Sequence, residues 1–152
     1  MAEKKERFRT LRGFLTGDEP DEEDHFAYSA SLRIFGEIPD IHEITKRLGI
    51  EPSHAHRRGD RKGANSPPYD HDMWSYSPDL PEENPLEEHI NRLWADVAPH
   101  KDYLQELKKT LTVDVFLGYS SNCDTAGISL PPESLRVFTE LEVRFELSII
   151  IT

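Results

Sequence analysis

The chain of 152 residues has a single cysteine, Cys123. An intramolecular disulfide is therefore excluded, and a lone thiol fits a reducing compartment. No apolar run approaches the roughly 18 residues that a membrane span needs. The N-terminus is charged from Glu3 to Arg12 and lacks the apolar stretch of a signal peptide. These absences lead us to expect a cytoplasmic protein with no membrane partner. Positive charge is also scarce, with Lys+Arg 18 against Asp+Glu 29 and a net charge of -11. Such an excess argues against general binding to nucleic acid or anionic membranes. The HExxH, paired CxxC, GxSxG, GxxxxGK[ST] and GxGxxG signatures are all missing. No catalytic residue and no cofactor can be assigned by motif, and enzymatic activity is the lesser of two readings.

What is present describes a globular domain: 36% apolar and 31% charged residues. A chain of this length buries roughly 70% of its unfolded surface and needs no staple. Residues 1–25 read as a charged, flexible appendage. Lys4, Lys5, Arg7, Arg9 and Arg12 make its first part basic, and Asp18 to Asp24 is almost wholly acidic. Phe8, Leu11 and Leu15 stand at helical spacing beside Phe14, which leaves open either an idle nascent helix or one that docks on a partner. Residues 26–152 read as one domain.

Within it, Phe26, Tyr28, Ala30, Leu32 and Ile34 alternate with smaller or polar residues, the pattern of a half-buried strand. Asp40 and Glu43 suggest a capping box for a helix carrying Ile41, Ile44 and Leu48, ended by Gly49. Met73, Trp74 and Tyr76 predict a short strand. Asn84, Pro85 and Glu87 fit the N-cap, N1 and N3 positions of a long helix. Its apolar stripe is Leu86, Ile90, Leu93, Trp94 and Val97, and Pro99 should break it before Tyr103, Leu104 and Leu107. A strand over 111–117 and a shorter one at 126–130 predict a hairpin. Pro132 should open a third helix bearing Leu135, Phe138 and Leu141. Val143 to Ile151 alternates as a last strand. Its Ser148–Ile151 end is apolar on both faces, so we expect it inside the sheet or beneath a helix. The order predicts an α+β two-layer sandwich of ferredoxin-like type, with a mixed or antiparallel sheet and helices on one face.

Several short motifs resemble one family in order and spacing. They are Ser31 to Gly36 (SLRIFG), Leu48 to Ser53 (LGIEPS) followed by Arg58-Gly59-Asp60, the MWSYS strand, Leu86 to Leu93 (LEEHINRL) and Gly127 to Leu135 (GISLPPESL). The chain resembles the bacterial domain of unknown function DUF4279 over about Tyr28 to Thr152. The resemblance supplies no catalytic residue, and His54 and His56 fall outside it.

The stretch from Ser53 to Trp74, SHAHRRGDRKGANSPPYDHDMW, carries the candidate site. Between Arg57 and Lys62 it holds a local charge of +3, which leaves about -14 on the rest of the chain. His54, His56 and His71, with Asp70 or Asp72, could form a metal site by type and spacing. The cations among them would repel a metal ion, so none is expected. Arg57, Arg58, Arg61 and Lys62, with Tyr69 nearby, better suit an anion or an acidic partner. Arg58 is expected to anchor the loop to a carboxylate of the domain, with the other three exposed. Cys123, Ser120 and Ser121 read as ordinary loop residues, Trp74 and Trp94 as core, and His42 and His89 as solvated.

The reading is a non-catalytic module that binds a protein partner through the basic loop, with an immunity or antitoxin-like role as one version. The alternative is a small enzyme or ligand-binding protein that clamps a nucleotide or phosphate with the loop arginines. A deep pocket beneath 53–74 would favour the second, and an open surface the first.

Overall fold

A computed structural model describes residues 24–123 and 127–152. The expectations for the first 23 residues lie outside this range. The elements run β1 (Phe26–Gly36), α1 (Ile41–Leu48), β2 (His54–His56), β3 (Asp72–Tyr76), α2 (Leu86–Val97), α3 (Lys101–Leu107), β4 (Thr112–Ser121), α4 (Arg136–Leu141) and β5 (Phe145–Ile151). The five strands form one mixed sheet in the order β2-β3-β1-β4-β5, in which only β4 and β5 run parallel. This is the expected α+β arrangement, with helices packed on the sheet. No helix among the described residues is long and apolar enough to cross a membrane.

The strand alternation dictates the layers. Ala30, Leu32 and Ile34 of β1 pair with Leu117, Val115 and Val113 of β4, and all six are buried. Trp74 sits opposite Ile34 on β3 and is fully buried. Its indole nitrogen donates to the Thr45 hydroxyl of α1 at 3.0 Å, which satisfies the one polar atom the ring takes inside. Ile90, Leu93 and Val97 of α2, Leu104 of α3 and Val137 and Leu141 of α4 close the core from above. The intervening strand residues face away from the helices. There Arg33 binds Asp114 through two nitrogens, at 2.8 and 2.6 Å, and lies over the Phe116 ring.

Local signals hold where they are local. The Asp40 carboxylate caps α1 through the His42 amide, and Gly49 ends it at φ 64. Pro99 lies in a 3₁₀ turn, Ala98–His100, that splits the long helix as expected. Pro132 opens the 3₁₀ turn Pro132–Leu135 that leads into α4.

Five expectations are corrected. α2 starts at Leu86 with Pro85 in the cap position, and the Asn84 amide binds Glu88 instead of capping the helix. Gly127–Leu130 has no strand structure. The reason is tertiary: β4 already has β1 on one side and β5 on the other, so no edge is left for a hairpin partner. Leu135 is exposed, because it ends a 3₁₀ turn before the buried face of α4 begins. His89 is buried in the first turn of α2, between the sheet-facing residues Leu86 and Ile90. Finally, β5 lies at the outer edge of the sheet, not inside it, and while its Phe145 end meets a helix, at Phe138, Ile149 to Ile151 are exposed.

Candidate functional site

The site forms at the opposite edge, on β2. Its register pairs His54 with Ser75, Ala55 with Trp74 and His56 with Met73. Since Trp74 points into the core, His54 and His56 project from the face the helices leave uncovered.

The chain then turns sharply. Gly59 adopts φ 92, a left-handed conformation that favours glycine. The Asp60 carboxylate accepts the Arg57 amide at 2.9 Å, and the Asp60 amide donates to the Arg57 carbonyl at 3.0 Å. So Arg58-Gly59-Asp60 is a turn, and its residue types follow from that geometry. The Gly59 amide donates to the Tyr69 carbonyl and the Tyr69 amide to the Asp60 carbonyl, both at 2.8 Å. Arg61 bridges to Pro68, which ties the neck of the basic excursion.

Asp72, at the start of β3, fixes this turn to the domain. Its carboxylate accepts the Ile38 amide at 2.9 Å and the Arg58 amide at 2.8 Å, and is almost buried. The Arg58 amide, then the Ile38 amide and the Arg57 guanidinium, hold its carboxyl below the ordinary value, against the effect of burial. Arg57 lies 3.5 Å from Asp72 and donates to the Ile38 carbonyl at 2.8 Å. The anchoring arginine is therefore Arg57, half exposed at 50%, and not Arg58. The Arg58 side chain is 69% exposed and stands 3.9 Å from an exposed Glu37.

The histidines gather around Tyr69. The Tyr69 and His56 rings stack with centroids 3.5 Å apart and planes 8° from parallel. His54 Nε2 and His56 Nδ1 share a hydrogen bond of 2.9 Å, and the His71 ring lies 5.9 Å from that of His56. Burial, then the neighbouring His54 and His71, lowers the pKa of His56. The His71 Nδ1 turns to Asp70. Among the described residues no group of three or more side chains is arranged to hold a metal ion. The paired nitrogens of His54 and His56 explain the local case, since they face each other and not a shared centre.

Beside this array lies a hollow of about 680 Å³, lined by His54, His56, Asp60, Arg61, Lys62 and Tyr69. A smaller one of about 400 Å³ lies toward α1 and is lined by Arg57, Ile41 and His42. The two share Ala55, His56 and Asp60, so a hollow flanks the edge strand on either side. The Arg61 guanidinium donates to the Ser66 carbonyl, which orients it along the excursion. Lys62 and Arg61 are exposed. The loop thus gathers Arg61, Lys62 and Tyr69 on one hollow. It sets Arg57 apart as an anchor and leaves Arg58 on the outside of the turn. Sequence reasoning missed the roles of Asp60 and Asp72. A Gly-Asp pair after two arginines was the available sign for the first, while nothing local marked the second.

Comparison with known families gives one match, over residues 26–152, to a domain of unknown function (DUF4279). No curated protein and no solved structure matches the chain.

Proposed function

We propose, for a chain that belongs to the DUF4279 family, a function of binding and not of catalysis: the loop 53–74 recognises an acidic segment of a macromolecular partner. The observation that carries this reading is the disposition of the cations. Arg61 and Lys62 stand exposed on an open hollow, and Arg58 is exposed on the outside of the neighbouring turn. The loop beneath them is tied down by Asp60 and Asp72, so its shape exists before a partner arrives. Preformed recognition avoids the ordering cost of a mobile loop. On a chain of net charge -11 this patch favours the approach of an acidic partner. Tyr69, stacked on His56, adds an aromatic surface to the same hollow. In this reading the protein works in the bacterial cytoplasm, and an immunity or antitoxin-like role is one form the binding takes. That last step rests on analogy with small acidic modules.

The same hollow supports a second reading, in which Arg61 and Lys62 hold the phosphates of a nucleotide whose base lies against Tyr69. Titration of the labelled chain by NMR separates the two, with an acidic decapeptide, ATP and inorganic phosphate as probes. An acidic-partner site gives peptide-induced shifts centred on His54, Arg61 and Tyr69, lost in an Arg58→Glu/Arg61→Glu/Lys62→Glu variant that still melts cooperatively. Saturable shifts with ATP and none with peptide would establish the second reading. Absence of shifts with all three probes would refute both.

A further inference from the structure

At the other end of the sheet, β5 has β4 on its inner side, and no strand among the described residues lies on its outer side. Phe145, Ile149, Ile150 and Ile151 are exposed at 44%, 48%, 55% and 47%, and they are most of the exposed large apolar side chains described. Monomeric proteins blunt such edges with short strands, lysine, proline or bulges. β5 has none of these devices. It is seven residues long, carries no lysine or proline, and keeps register with β4 without a break from Phe145 to Ile151. Its one charge, Glu146, turns inward to Arg33 at 3.3 Å.

We propose that β5 pairs antiparallel with β5 of a second copy of this chain, across a twofold axis at Ser148. The backbone is set for it. The Thr152 amide donates to the Ser121 carbonyl of β4 at 2.9 Å. Strand alternation then turns the amides and carbonyls of Phe145, Leu147, Ile149 and Ile151 outward. An axis at Ser148 places Phe145 opposite Ile151 of the second copy and Leu147 opposite Ile149. Those pairs, each occurring twice, exchange about eight hydrogen bonds.

The side chains agree with the backbone. The register with Val115, Leu117, Tyr119 and Ser121 puts Phe145, Leu147, Ile149 and Ile151 on the helix-covered face. Every pair there joins two apolar side chains, while on the other face Glu146 meets Ile150 and Ser148 meets itself. No like charges stand opposed, which an antiparallel pair would not tolerate. The antiparallel arrangement also sets the sheltered end of one strand beside the bare end of the other. Phe145 packs at 5.1 Å from Phe138 of α4, so this covered corner receives Ile151 of the second copy. A slip of two residues would leave either Ile150 and Ile151 or Phe145 and Glu146 of each copy without a partner in β5.

A seam of one strand against another falls below the about 1,200 Å² of stable interfaces, so the dimer is of the weak class. Each copy carries -11, so added salt should strengthen association by screening the repulsion.

Sedimentation equilibrium of the full chain tests the proposal. A monomer–dimer equilibrium is expected, tightening with salt. Ile149→Pro removes an outward amide and none that faces β4, so a folded monomer is expected. Ile150→Lys faces Glu146 across the seam and should keep the dimer. In a Cys123→Ser background, Ser148→Cys should give a disulfide-linked dimer on mild oxidation. Ile150→Cys should not, being about four residues out of register with its own copy, beyond disulfide reach. The cysteine pair decides the matter should Ile149→Pro fail to fold. A chain monomeric at every concentration would overturn the proposal, as would equal cross-linking of the two cysteine variants. A dimer that forms only after residues 1–23 are deleted would also overturn it, by showing that this segment covers the edge.

Discussion

β2 and β5 bound the same sheet, and the chain treats its two edges differently. β2 is three residues long and leads into a cross-braced polar loop. Its neighbours are histidines, a tyrosine and cations. β5 is seven residues long, and its outward groups are apolar. A short edge offers a partner strand little to pair with and is free to present side chains. A long bare edge presents its backbone instead. The first edge suits recognition of a charged segment, and the second suits pairing with a strand of matching length. The acidic balance of the chain sharpens the contrast, because the proposed site is a basic patch on an acidic chain while two copies of the chain repel.

The largest effect that would break this contrast comes from beneath β2. Trp74 backs Ala55 of β2 and is fully buried. Replacing Trp74 with Ala should cost about 3–5 kcal/mol by lost burial and the cavity left behind. Ile150→Ala at the bare edge should cost about 0.5 kcal/mol or less in the monomer, because the side chain is mostly in water. Chemical denaturation of both variants at low protein concentration checks the pair. Comparable losses would mean that β5 is packed in a way its exposure does not suggest.

Asp72→Asn should come next. The asparagine amide cannot accept from both Ile38 and Arg58, and the attraction to Arg57 goes. The melting temperature should fall, and hydrogen exchange should quicken at the Arg58 and Gly59 amides. The β5 amides should keep their rates. Uniform acceleration across the sheet would show that Asp72 supports the whole fold and not the turn.

The elements legible in the sequence were those set by neighbours a few residues apart. The alternation of β1, the Asp40 cap and the break at Pro99 are local facts, and each stands as read. Alternation also tells which side of a strand is covered, but not which strands lie beside it. That is why β5 was expected inside the sheet or beneath a helix and why 126–130 was expected to be a strand. The first depends on no described strand lying outside β5, and the second on β4 having its two sides taken. The basic island was visible as charge, yet the division of labour between Arg57 and Arg58 was not. It depends on Asp72, which lies beyond the excursion in sequence and beside the turn in space.

A smaller effect concerns pH. Burial lowers the pKa of both His56 and His89. The unfolded chain therefore takes up protons on these residues before the folded one does. Their contribution is complete above the ordinary histidine value of about 6.5 and is lost as pH falls through the folded values. The melting temperature should drop between about pH 7 and pH 5. His56→Asn should flatten part of that slope and leave the His89 part. A slope unchanged in this variant would remove His56 from the account.

The most direct measurement of the central claim, two edges with two kinds of partner, is sedimentation velocity of the full chain with a fluorescent acidic peptide. It is run at about 50 mM and about 500 mM salt, where the screening length falls severalfold. The account predicts opposite responses. The peptide should travel with the protein at low salt and be released at high salt, while the protein boundary moves from monomer toward dimer. Peptide that stays bound at high salt, or a dimer that dissolves as the peptide leaves, would contradict it.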